Sequence, residues 1–272
     1  MEKNSLAKYK LYLKSKDLKP STIKNYSWHV GQFLLWSENK SARGGSASGG
    51  KITAPLLKKY KEFLLAKQKN IGSINLRLII INNYLHFIGI RYSFELLTEH
   101  KDRLAALTPL QLQNFLDQPL KKNNPVGHRD KALLEILYAS GLKVSDLVNL
   151  QKNQVDFLSR EIILDKKHIT LPPYALHYLE KYINFRKDKS PWLFINFDRS
   201  KKAGEKPLSV RSVERMVEKY ALALRPRLKI TPQILRNTLA YNLKSQGVTG
   251  SGLKEALHFK TKVGAGNYLN RL

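Results

Sequence analysis

Apolar residues recur at helical spacing through the first ninety positions of the chain. Leu6, Tyr9, Leu11, Tyr12 and Leu13 predict one helix. Pro20 and Ser21 open a second, with Ser21 as its N-cap and Ile23, Tyr26, Val30, Phe33 and Leu34 on one face. Residues 41–50, SARGGSASGG, interrupt the pattern as a flexible Gly/Ser loop. Thr53 opens a third helix (Leu56, Leu57, Tyr60, Phe63, Leu64), and Ser73 opens a fourth (Leu76, Ile79, Ile80, Tyr84, Phe87) that Gly89 ends. Four such helices predict a small bundle over 1–92.

The period is lost over 93–107, which reads as a linker. It returns at Thr108-Pro109 (Leu110, Leu112, Phe115, Leu116) and in a helix over 129–140 that Gly141 stops. A short helix over 142–150 follows. The period then changes: residues 161–164 and 168–171 predict two short strands around Asp165, Lys166 and Lys167. Helices are predicted again over 174–186, 210–224 and 232–246. The fold class is therefore mainly α with a small β-hairpin, in two domains of 1–92 and 108–272.

Charge adds a partner to this picture. Lys and Arg total 48 against 21 Asp and Glu, a net +27. Residues 1–100 hold 17 basic and 6 acidic residues (17 − 6 = +11), which leaves 31 and 15 (+16) for the remainder. Both halves are basic, which points to a polyanion, most often nucleic acid. No cysteine is present, so disulfides and thiolate metal sites are excluded and a reducing, cytoplasmic setting is the simpler expectation. No run of eighteen apolar residues suggests a membrane span, and MEKNSLAKYK lacks the apolar core of a signal peptide.

Residues 231–247, TPQILRNTLAYNLKSQG, and residues 129–150, RDKALLEILYASGLKVSDLVNL, carry the strongest local signal. They resemble the T-P-H-x-L-R-H-x-x-A and R-D-x-A-L-L-x-L-L-Y-A-T-G-L-R-x-S-E-L-x-x-L segments of the tyrosine recombinases, the phage-integrase and Xer-like family. Residues 257–268, LHFKTKVGAGNY, have the length of that family's L-G-H-x-x-x-x-T-T-x-x-Y. The resemblance implies a SAM-like core-binding bundle followed by a catalytic-type domain, together gripping duplex DNA. It implies that Tyr268 stands at the nucleophile position and Arg236 at a phosphate-clamping arginine. Lys143 stands where the family has its other arginine, Asp146 at the acidic position that follows, and Lys166 (with Lys167 as backup) at the general-acid lysine of the hairpin. The family's chemistry requires no metal or cofactor.

Several letters depart from that pattern. Gln233 and Asn237 replace two histidines, His258 sits at the glycine, and Phe259 takes the place of a histidine or tryptophan. Gln and Asn donate hydrogen bonds but do not titrate. A lysine cannot supply the planar fork of an arginine. The first expectation is thus a DNA-binding protein of recombinase descent, a pseudoenzyme with cleavage lost or impaired. An active recombinase forming a 3′-phosphotyrosyl bond through Tyr268 stays open, as does a general polyanion or RNA binder. Lys19, Ser21, Thr22, Lys24, Asn25 and Arg77 are the expected phosphate contacts of the bundle. Self-association on DNA and, in a bacterium or archaeon, a nucleoid location are further expectations. The chain stops four residues after Tyr268, where family members commonly extend into a helix that docks on a neighbour, which weakens the expectation of a cyclic tetramer.

Overall fold

The computed structural model describes residues 2–43, 52–67, 70–99, 102–165, 167–197 and 206–272. The chain divides into two units, Met1–His100 and Lys101–Leu272.

In the first unit, α1 (Glu2–Ser15), α2 (Pro20–Arg43), α3 (Ala54–Lys67) and α4 (Ile71–Phe87) surround one core. Tyr9, Phe33, Tyr60, Leu64, Leu78 and Tyr84 fill it, and Tyr9 meets Tyr84 edge-on at 5.2 Å. Two helix starts differ from expectation. Pro20 is already helical, with the Lys19 carbonyl accepting from Thr22 and Ile23, so Ser21 lies inside the first turn. The fixed φ of proline suits that position. In α4 the cap is Asn70, whose side chain accepts from the Ser73 backbone at 2.8 Å. Helix α2 also continues to Arg43, into the expected loop, whose residues 44–50 lie outside the described residues.

After α4 the chain has no helix or strand as far as residue 99, but it is fastened. Asn82 exchanges two hydrogen bonds with the Phe94 backbone and Asn75 exchanges two with Leu97, all between 2.8 and 3.0 Å. These asparagines, two helical turns apart on α4, satisfy main-chain groups that lack a ladder.

The second unit is built on α6 (Pro125–Ser140), which follows α5 (Pro109–Leu116) and begins four residues earlier than its sequence pattern suggests because Asn124 caps it. Ala132, Leu133, Leu134, Ile136 and Leu137 are buried, and so are four charges on the same helix. Each charge has a partner: Arg129 binds Asp130, Tyr220 donates to Asp130 at 2.8 Å, and Lys131 joins Asp117 and Glu135 at 2.7 and 2.6 Å. Gly141 ends the helix at φ 58°, as expected, and the next helix, α7 (Val144–Leu147), is shorter than its predicted span.

The sheet has three antiparallel strands rather than two, in the order β1 (Val155–Asp156), β2 (Glu161–Leu164), β3 (Lys167–Thr170). Leu164 pairs with Lys167, so Lys167 belongs to a strand instead of the turn, and Lys166 lies outside the described residues. Helices α8 (Pro173–Asn184), α9 (Val210–Leu222) and α10 (Pro232–Ser245) complete the core, and α11 (Gly250–Ala256) and α12 (Lys262–Leu269) pack beside α10. No described helix is long and apolar enough to cross a membrane.

Candidate active site

Thr231 caps α10 by accepting from the Ile234 backbone, and Pro232 occupies its first turn. Gln233 follows in the same turn, and Arg236 and Asn237 lie one turn later. Arg236 and Asn237 are only 5% and 4% exposed, so both must find partners inside the protein. The Arg236 guanidinium takes two main-chain carbonyls, those of Gly141 and Leu257. It therefore ties the end of α6 to the end of α11. Burial pulls its pKa below the ordinary arginine value, with Tyr268 and Asp146 opposing. The Phe259 ring lies 5.3 Å beneath the guanidinium and 5.1 Å from the Tyr268 ring.

Tyr268 comes from α12, and its hydroxyl donates to Asn237 Oδ1 at 2.5 Å and accepts from Gln233 Nε2 at 3.1 Å. Gln233 Nε2 also reaches Asn237 Oδ1 at 3.0 Å. The Asn237 amide is held in this sense because its nitrogen donates to the Ala105 carbonyl at 2.9 Å. Burial raises the Tyr268 pKa above the ordinary phenol value, against the opposing pull of Arg236, Gln233 and Arg271. The hydroxyl is thus a protonated phenol whose acceptor is an amide oxygen.

The residues expected at the site are partly brought together. Tyr268, Arg236, Gln233, Asn237 and Phe259 form one cluster. Lys143 is exposed, just before α7, two residues beyond the Gly141 carbonyl that Arg236 holds. Lys167 is exposed at the start of β3 and close enough to His258 to disfavour its charge. In the other unit, Lys19, Ser21, Lys24 and Asn25 are exposed, and Thr22 and Arg77 half-buried, around the α1–α2 corner and the adjoining face of α4. Lys24 lines a groove of about 650 Å³ there with Lys10, Lys14 and Trp28, and Arg77 lies 6.0 Å over the Trp28 ring.

Two contributors carry no sequence signal as site residues. One is the segment 102–107, which supplies the Ala105 carbonyl. It also binds through Leu104 N–H to Arg271 O at 2.7 Å and through Leu107 N–H to Thr238 Oγ1 at 3.0 Å. The other is His258, read in the sequence only as the occupant of a glycine position. It has φ 54°, and its Nε2 lies 3.1 Å from the Ser140 carbonyl. Among the described residues no group of three His, Asp or Glu could hold a metal ion.

Comparisons with known proteins concern the family and the fold. Residues 105–271 match the model of the Phage integrase family. The chain is 26% identical to Tyrosine recombinase XerA of Thermococcus onnurineus, over 93% of this chain and 85% of that one. It is 28% identical to the XerA of Pyrococcus horikoshii, over 93% and 84%. Among solved structures, the Tn1549 transposon integrase in complex with circular intermediate DNA superposes with TM-score 0.76 at 20% identity, covering 97% of this chain and 94% of that chain. The XerH recombinase bound to its difH substrate gives TM-score 0.73 at 16% identity, covering 91% and 76%. With a family model matched over more than half its length, and with the Tyr268 and Arg236 helices folded together, this chain belongs to the phage integrase family of tyrosine recombinases.

Proposed function

We propose that the chain binds duplex DNA in recombination or integration and that its strand cleavage is lost or strongly slowed. The observation that carries the second half is the Tyr268 hydroxyl resting on Asn237 Oδ1. A phenol is a weak nucleophile until its proton leaves, and an amide oxygen does not take that proton. Arg236 supplies one clamp for a phosphorane-like transition state, whereas Lys143 offers charge without a fork. The duplex partner is supported by the net +27, by the family, and by the DNA in the Tn1549 and XerH structures.

A nicked duplex that traps covalent protein–DNA adducts tests the reading. The wild-type chain is expected to bind it with little adduct. Gln233→His with Asn237→His is expected to raise adduct formation by roughly 10²-fold or more, the order of one transition-state donor. Tyr268→Phe in that background should remove it. The second reading is an active recombinase using Tyr268, Arg236, Lys143 and Lys166 (with Lys167 as backup), and it is favoured by the packing of Arg236, Phe259 and Tyr268 into one cluster. Rapid Tyr268-dependent trapping by the wild-type chain would establish that reading and overturn the first.

A further inference from the structure

His258 is a titratable side chain that the recombinase reading leaves without a task. Its backbone sits at φ 54°, a conformation that a side chain disfavours and a glycine adopts freely. Its imidazole is half-buried against the end of α6, with Nε2 at 3.1 Å from the Ser140 carbonyl. A carbonyl only accepts, so Nε2 carries the hydrogen and the neutral ring leaves Nδ1 as a base.

The neighbouring main chain joins this ring to Arg236. Ser140 O receives the imidazole, and Gly141 O, the next carbonyl, receives the guanidinium. Arg236 also holds Leu257 O, the carbonyl just before His258. The two side chains therefore brace the same two chain ends from one site. Gln233, Asn237 and Phe259 cannot titrate, so His258 is the group near Arg236 able to change charge near neutrality.

The charges facing it are balanced. Burial disfavours the cation, and Lys167 from β3 and Arg236 from α10 add to that. The Ser140 carbonyl favours the cation, as the carbonyl end of a helix does, and Asp146 from α7 helps. The sum holds the imidazole below its ordinary pKa, neutral at pH 7. A phosphate brought to Arg236 adds negative charge beside this set and shifts it toward the cation.

We propose that His258 is the titrating member of the phosphate site, taking one proton from solvent onto Nδ1 when a DNA phosphate docks at Arg236. This rests on the duplex-binding half of the function proposed above. No covalent step is involved: a neutral imidazole becomes an imidazolium paired with the phosphate.

The test is binding of a mixed-sequence duplex at fixed ionic strength, from about pH 8 to about pH 6, by the wild-type chain, His258→Gly and His258→Gln. The wild-type affinity should rise as pH falls by more than that of either variant, the excess approaching but not passing about tenfold per pH unit for one proton. The glycine variant suits the φ of this position, so loss of the excess cannot be ascribed to a strained backbone; the glutamine variant keeps a hydrogen-bond donor without titration. Imidazole NMR of the wild-type chain should show the His258 titration moving upward on saturation with the duplex. Equal pH slopes in all three proteins, or an unmoved titration, overturn the assignment while leaving DNA binding intact. A chain that binds no duplex at any of these pH values overturns the functional reading, and the role of His258 with it.

Discussion

Arg236 and Asn237 are adjacent on α10, and each is fixed by a carbonyl distant in sequence. For Arg236 those carbonyls are Gly141 O and Leu257 O, so the residue has a structural part of its own. Arg236→Ala leaves both without their donor in a buried place. It is expected to cost about 2–4 kcal/mol, from two lost hydrogen bonds to a charged group, seen as a lower urea midpoint. Arg236→Lys should recover only part of this, since one ammonium cannot fork. A second residue-scale prediction concerns acid. Arg186 binds Asp188 at 2.5 and 2.9 Å, and these bonds hold the carboxyl below its ordinary value of 3.8 against the pull of burial. A depressed folded pKa gives stability that is complete above the ordinary value and is lost as pH falls through the depressed one. The urea midpoint should therefore fall as pH drops below about 4, and Asp188→Asn should show a smaller fall. At this scale the motif wording singles out Arg236 and Tyr268, which the fold packs against the same Phe259 ring. Their partners were not legible, because a main-chain carbonyl has no letter of its own, and the positive φ of His258 is a tertiary outcome.

Helices were legible where their apolar period was long and their caps were ordinary. The stop at Gly141 is the clearest case: φ 58° suits glycine, and an added Cβ would lie 2.7 Å from Leu257 Cδ2 and 3.0 Å from Ala256 O. Gly141→Ala is expected to destabilise by about 1–3 kcal/mol, by strain and crowding together. The starts of α4 and α6 were read late because Asn70 and Asn124 cap turns with few apolar residues. Helix α12 was not read as a helix because Gly264 and Gly266 dilute its pattern over eight residues. Gly266 has no atom within 4 Å of an added Cβ and ordinary helical geometry. Gly266→Ala should thus raise stability by about 0.5–1 kcal/mol, measurable as a higher thermal midpoint. Strand β1 has two residues, too short to leave an alternation in the sequence.

For the whole molecule, charge was the most legible quantity and the sequence stated it fully. A protein of net +27 that binds duplex DNA should release counterions as it docks. Six to ten phosphate contacts would weaken binding by about 10³–10⁵ between 50 and 200 mM salt, and a fluorescence-anisotropy salt series checks this. A shallow slope would instead point to few phosphate contacts and to a partner other than a duplex. The division of the chain was less legible. The stretch expected to be a linker carries the Phe94 and Leu97 bonds to α4 in its first part. In its last part, residues 102–107 are bound to α10 and to Arg271.

Those last bonds connect the start of the second unit with the Tyr268 cluster. Asp102 O, Leu104 N–H, Ala105 O and Leu107 N–H engage Arg271, Asn237 and Thr238, of which Asn237 accepts from the Tyr268 hydroxyl and Arg271 follows Tyr268 by three residues. The segment entering the second unit therefore reaches the amide that accepts from the Tyr268 hydroxyl. The entry segment and the Tyr268 hydroxyl thus meet on one side chain, Asn237, whose nitrogen serves the first and whose oxygen serves the second.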